Sequence, residues 1–308
     1  MNISTKIAGI NFDSCIINAS GPNNSTLEEL ELIGKSESSA IMMKSCTIEP
    51  REGNDKPRFA RLPFGAIQCM GLPNLGYKKY IEFALKLKKY NKPIIASISG
   101  LCANDYVKMV GEFQDSEVDL IEVNLSCPNI YGKPLVGYDI EQTENVLVKI
   151  SSLGKKPIGL KLPAYLDESL QKQIADLIIK NNISFISTIN SIGNCLVIDS
   201  EKETPAIKPL RGFGGLCGEY LKPIALGNVR KFYELLDDKV FIFGVGGVKT
   251  GEDVFEFLLA GADAIQIATA FEKQGATCFE KIKNELIAIM QKKGYKSVRE
   301  IKGNLKYL

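Results

Sequence analysis

Asp119-Leu120-Ile121-Glu122-Val123-Asn124-Leu125-Ser126-Cys127-Pro128-Asn129 begins as a short apolar run with an acid at its centre and ends in small polar residues, a cysteine and a proline. A run of this length, rich in β-branched residues, suggests a buried strand. Proline cannot donate to a sheet ladder, and it pushes Cys127 away from helical geometry. The thiol is therefore expected on an irregular loop at the carboxyl end of a strand, where α/β enzymes place their chemistry. A cysteine in such a turn has a structural reading too, since free cysteine is among the most buried residue types.

The pattern repeats on both sides. Upstream lie Ile16–Pro22, Ala40–Ser45 and Pro93–Gly100; downstream lie Pro157–Pro163, Phe185–Ser191, Val240–Gly247 and Ala264–Thr269. Between them run stretches with helical spacing: from Ser25, over 77–89, 104–115, 139–152 and 167–180, around 224–236, from Thr250 to Ala260, and over about 275–293. Ser25 with Glu28 three residues on has the form of a capping box, and Asp139 and Thr250 are placed to cap their helices. Eight short apolar strands alternating with helices predict one (β/α)₈ barrel domain over residues 1–308. An open doubly wound sheet is the competing architecture, but no early strand is followed by G-x-G-x-x-G. Residues 46–75 and 193–223 read as long polar, glycine-rich insertions at the barrel mouth, and loops of that length are usually functional or carry structure of their own.

Composition narrows the chemistry. Hydrophobic residues make up 45% and charged residues 24%, a soluble balance, and the net charge of +2 favours neither nucleic acid nor a membrane surface as partner. The amino terminus has no long apolar core and reads as neither signal peptide nor anchor. The eight cysteines show no C-x-x-C pair or zinc spacing, so the chain reads as a cytoplasmic protein with free thiols and no metal site. Histidine is absent, which removes Ser-His and Cys-His schemes and leaves Cys, Lys, Tyr or carboxylates for acid–base work.

Ser20, Lys44, Asn124, Lys161, Asn190, Gly246 and Thr269 all fall at or just past a strand's carboxyl end, and in a barrel those ends meet around one mouth. A single lysine there is ordinarily a snorkelling surface residue; two at equivalent positions call for an anion or an electron-rich ring. Gly246-Gly247 after the seventh strand, Ala268-Thr269 after the eighth, and Gly218 let backbone N–H groups approach a phosphate, although tight turns would use the same residues. A phosphate on one side with lysines and amides on the other suits flavin mononucleotide (FMN), a choice that pattern alone does not force.

The ordered set Asn18-Ala19-Ser20-Gly21, Lys44-Ser45, Arg51-Glu52-Gly53-Asn54, Met70–Gly76, Asn124–Asn129 with Gly132-Lys133-Pro134, Lys161-Leu162-Pro163, Asn190–Asn194, Gly212–Gly215, Gly244–Gly247 and Ile267–Ala270 resembles the dihydroorotate dehydrogenases. The likeness spans nearly the whole chain and is closest to the soluble class 1A, which uses fumarate as electron acceptor. It implies FMN across the barrel mouth, held by Ala19, Ser20, Gly21, Lys44, Ser45, Asn124, Lys161, Ile189, Gly218, Gly246, Gly247, Ala268 and Thr269. It implies a pyrimidine surrounded by Lys44, Gln68, Met70, Gly71, Leu72, Asn124, Asn129, Asn190 and Ser191, with Cys127 as base and Lys161 and Lys44 as the catalytic lysines. It also implies a homodimer with dihydroorotate and fumarate as substrates and no iron–sulfur partner subunit.

The residues suit that chemistry. Oxidising dihydroorotate removes a proton from C5 and a hydride from C6; a cysteine of ordinary pKa, about 8.5, needs only a modest depression to serve as base. Asparagines and Ser191 match the amide edges of a flat polar substrate. Residues 128–138, with Gly132 and Gly137, are placed to act as a lid. Two positions depart from the family pattern: Gln68 stands where it has asparagine, and Ala268 where it has glycine. The competing readings are a related NAD-linked or dihydropyrimidine dehydrogenase, and a non-catalytic flavin-binding barrel.

Overall fold

The computed structural model describes residues 1–126 and 135–308. Among these, the eight apolar runs each contain a strand: β1 (Ile16–Asn18), β2 (Ile41–Met42), β3 (Ile94–Ile98), β4 (Leu120–Asn124), β5 (Ile158–Leu162), β6 (Phe185–Thr188), β7 (Phe241–Val245) and β8 (Ala264–Ile267). They pair in parallel in the order β1-β8-β7-β6-β5-β4-β3-β2. All residues of β3, β4 and β5 are buried, as expected where helices cover the outside and side chains fill the inside.

Closure between β1 and β2 is made by a side chain. Asn18 Nδ2 donates to Met42 O (2.8 Å) and Asn18 Oδ1 accepts from Met42 N (2.9 Å), so the amide stands in for a strand backbone. Ser39 N donates to Ile16 O on the same seam (3.0 Å). Asn18→Ala would leave the Met42 N–H buried without this acceptor; we expect a loss of about 2–3 kcal/mol in urea unfolding.

The amino-terminal hairpin, Thr5–Ile7 with Ile10–Phe12, sets Phe12 edge-on to Phe243, which packs edge-on against Phe185. A Cβ on Gly159 would stand 2.2 Å from the Phe185 ring, so this glycine is the space the aromatic layer needs. Gly159→Ala is expected to destabilise by about 1–3 kcal/mol, read from the urea midpoint, because the core cannot open to take the methyl.

Helix starts follow sequence chemistry with one shift. Asp139, Asp167 and Thr250 cap their helices. The first capping box, however, is Thr26 with Glu29, one residue later than Ser25 with Glu28. The Glu29 carboxylate takes hydrogen bonds from both the Ser25 and Thr26 N–H groups, which fixes that register.

The two insertions are not loops. Phe59–Leu62 pairs antiparallel with Gly65–Gln68, that strand with Phe213–Gly218, and that one with Ile192–Leu196, making a second, four-stranded sheet. Its glycines hid it from the sequence reading, yet they are what the pairing requires. A Cβ on Gly65 would fall 1.9 Å from Cys217 O, and one on Gly218 2.4 Å from Gly65 Cα.

Candidate active site

Lys161, the penultimate residue of β5, points into the barrel and is only 4% exposed. Its Nζ donates to Gln266 Oε1 on β8 (2.9 Å). Burial pulls its pKa below the usual lysine value, and attraction to Glu122 works the other way. An ammonium at the carboxyl end of the barrel strands, largely cut off from water, is suited to meeting negative charge that develops above it.

Polar groups converge around it. Ser20 Oγ lies 2.9 Å from Ser45 Oγ and accepts from Ser45 N (2.8 Å), joining the ends of β1 and β2. Asn124 Nδ2 donates to Ser45 Oγ (3.2 Å). Asn190 Nδ2 donates to Ser126 O (3.0 Å) and Ser126 Oγ (2.9 Å), and Ser126 Oγ lies 3.2 Å from Lys161 O. The backbone leading into Cys127 is thus tied to the ends of β4, β5 and β6. Cys127 and Asn129 themselves, and most of the expected lid, lie outside the described residues.

Lys44 Nζ donates to Gly21 O (2.8 Å), and Ala268 packs beside Gly21, where a Cβ would be 3.8 Å away. Ile189 is buried, and its N–H continues the ladder to Val245 O (2.8 Å). Gly246, Gly247 and Gly218 all have positive φ. A Cβ on Gly247 would reach Gly218 O at 3.0 Å and Lys222 Cβ at 2.9 Å, so the two turns pack backbone to backbone. Gly246 is as close to a neighbouring helix, where a Cβ would stand 2.9 Å from Ala225 Cβ, so neither turn has room for a side chain.

Gln68 Nε2 donates to Ser191 Oγ (3.2 Å), and Gln68 Oε1 accepts from Met70 N (3.2 Å), so one side chain clamps the first insertion to the segment that follows β6. Gly71 and Leu72 follow in left-handed conformations, anchored by Asn74 Nδ2 on Leu72 O (2.9 Å). The contacts join Ser20, Ser45 and Asn124 in one group and Gln68 and Ser191 in another.

Three other cysteines hold little thiolate near neutral pH. Burial raises the pKa of Cys46 and Cys69 and pushes Cys217 up to about 11. Among the described residues no group of three or more acids or cysteines could hold a metal ion, and no helix is long and apolar enough to cross a membrane.

Sequence reasoning missed the layer beneath the mouth. Ser97, Glu122, Ser187 and Gln266 are buried and hydrogen-bonded across the barrel interior. The available signal was a polar residue inside four otherwise apolar strands. Ser126, which links Asn124 to Asn190, was also not singled out.

Comparison with known proteins agrees with the geometry. The family model for dihydroorotate dehydrogenase matches residues 2–290. The chain is 43% identical over 310 residues to dihydroorotate dehydrogenase A (fumarate) of Lactococcus lactis subsp. cremoris MG1363, covering 99% of this chain and all of the relative. Identity is 44% over the same length to the protein of that name from L. lactis subsp. lactis IL1403. In fold, it resembles dihydroorotate dehydrogenase of Eimeria tenella crystallised with ferulenol, with TM-score 0.85, 21% identity, and coverage of 98% of this chain and 88% of that one. A full-length match at this identity, on a barrel with this mouth, places the chain in the dihydroorotate dehydrogenase family.

Proposed function

We propose that this protein oxidises dihydroorotate to orotate with FMN as its flavin and fumarate as the second substrate. The observation that carries the reading is the buried Lys161 ammonium on the strand beside Asn124, whose amide is tied to Ser45 and through it to Ser20. The family is one of flavoenzymes, and bound FMN would accept the substrate hydride and pass the electrons on. Gly218, Gly246 and Gly247, with Ala268 and Thr269, would hold the phosphate through backbone N–H groups. Ala19, Ser20, Gly21, Lys44, Ser45, Asn124, Lys161 and Ile189 would hold the ring system.

Lys44, Gln68, Met70, Gly71, Leu72, Asn124, Asn129, Asn190 and Ser191 would orient the pyrimidine, and the Cys127 thiolate would take the C5 proton. Lys161 would offset negative charge on the ring as it is reduced. A homodimer fits the exposed Phe59, Phe64, Leu196, Ile198, Phe213 and Tyr220 on and beside the second sheet, an apolar surface that a monomer would leave in water. We read the chain as one cytoplasmic domain. The Gln68 clamp on Ser191 favours, as a second reading, a related dihydropyrimidine as substrate.

Steady-state turnover tests the proposal. The purified protein alone is expected to oxidise dihydroorotate with fumarate and not with NAD. Turnover of another dihydropyrimidine in its place would support the second reading; a colourless protein that FMN cannot load would overturn both.

A further inference from the structure

We propose that Glu122 is a positioning residue for Lys161, acting through Gln266 to fix the direction of the ammonium and keep it charged at the mouth. The inference rests on reading that mouth as the flavin site. Glu122 sits at the centre of β4 with no exposure, in a barrel interior that branched apolar side chains ordinarily fill. A buried carboxylate is costly unless neighbours satisfy it. Here Glu122 accepts from Ser187 Oγ (2.6 Å) and Gln266 Nε2 (3.0 Å) on one oxygen, and from Ser97 Oγ (3.2 Å) on the other.

These bonds have a direction. The Ser187 proton is committed to Glu122, so Ser187 Oγ accepts from Gln266 Nε2 (2.8 Å). With its NH₂ group facing Glu122 and Ser187 Oγ, Gln266 cannot turn over without setting its oxygen against the carboxylate, and that oxygen instead faces Lys161 Nζ at 2.9 Å. On the other side Ser97 donates to Glu122, Ser45 Oγ can then donate to Ser97 (2.8 Å), and Ser20 Oγ to Ser45 (2.9 Å). One carboxylate thus orients the hydroxyls on one side of the mouth and the ammonium on the other. Burial and Glu122 are the two influences acting on the Lys161 proton, and they oppose each other.

Glu122→Gln removes the charge and supplies an amide that can turn Gln266 around, presenting an NH₂ group to the lysine. Three readouts test it: the Lys161 titration in flavin-free protein, followed by carbon NMR of labelled lysine; the midpoint potential of bound FMN; and the rate of flavin reduction by dihydroorotate. In Glu122→Gln, Lys161 is expected to titrate at lower pH than in the parent, the potential to become more negative, and reduction to slow about tenfold, less than the 10²–10³-fold typical of deleting a charge-stabilising donor. A purely structural role would lower stability and leave the titration and the potential of the folded fraction in place, and that result would overturn the inference. If Glu122→Gln does not fold, Gln266→Met keeps the carboxylate and cuts the link; it is expected to move the same readouts in the same direction, and unchanged values would be equally decisive. A parent protein that binds no FMN would instead sink the flavin reading, and the lysine titration would still judge the network.

Discussion

Lys161→Met is expected to slow flavin reduction by dihydroorotate about 10²–10³-fold, or roughly 3–4 kcal/mol. Methionine matches much of the lysine's length and removes an ammonium that the barrel holds buried. The loss should fall on the reduction step rather than on substrate affinity, because the charge matters most as the ring becomes negative. The parent enzyme carries a pH signature. Burial holds the Lys161 pKa below its ordinary value, so the helpful charged form is present below that lowered pKa and is lost as pH rises through it. The rate should therefore have an alkaline limb in the parent that is missing in Lys161→Met.

Cys127→Ala is expected to retain flavin and reduce it about 10²–10⁴-fold more slowly, since a positioned base is worth roughly 3–5 kcal/mol. Cys46, Cys69 and Cys217 hold too little thiolate to replace it: burial pushes Cys217 up to about 11 and raises Cys46 and Cys69 as well. Stopped-flow absorbance under anaerobic conditions reads the rate. An unchanged rate would remove Cys127 from the chemistry.

Much of this was legible from residue order. Most of the apolar runs end in a polar residue, and in a barrel the carboxyl ends of all strands share one face. That is why Ser20, Lys44, Asn124, Lys161 and Asn190 could be grouped before any coordinate was known. The second sheet was not legible. Gly65 and Gly218 carry no strand signal, yet backbone approach at those positions leaves no room for a side chain. The hydroxyls and the amide inside the barrel were overlooked, and the acid was seen without its partners. Ser97, Glu122, Ser187 and Gln266 read singly as defects in apolar strands, and only the closed geometry makes them partners. The first capping box slipped by one residue because Ser25 and Thr26 both have an acid three positions on, and only Glu29 reaches back to both amides.

The most direct test of the central claim is anaerobic mixing of the FMN-loaded protein with dihydroorotate, followed by fumarate, while flavin absorbance is recorded. The absorbance is expected to bleach on the first addition and return on the second. A flavin that stays oxidised in the presence of dihydroorotate, or that stays reduced in the presence of fumarate, would contradict the assignment.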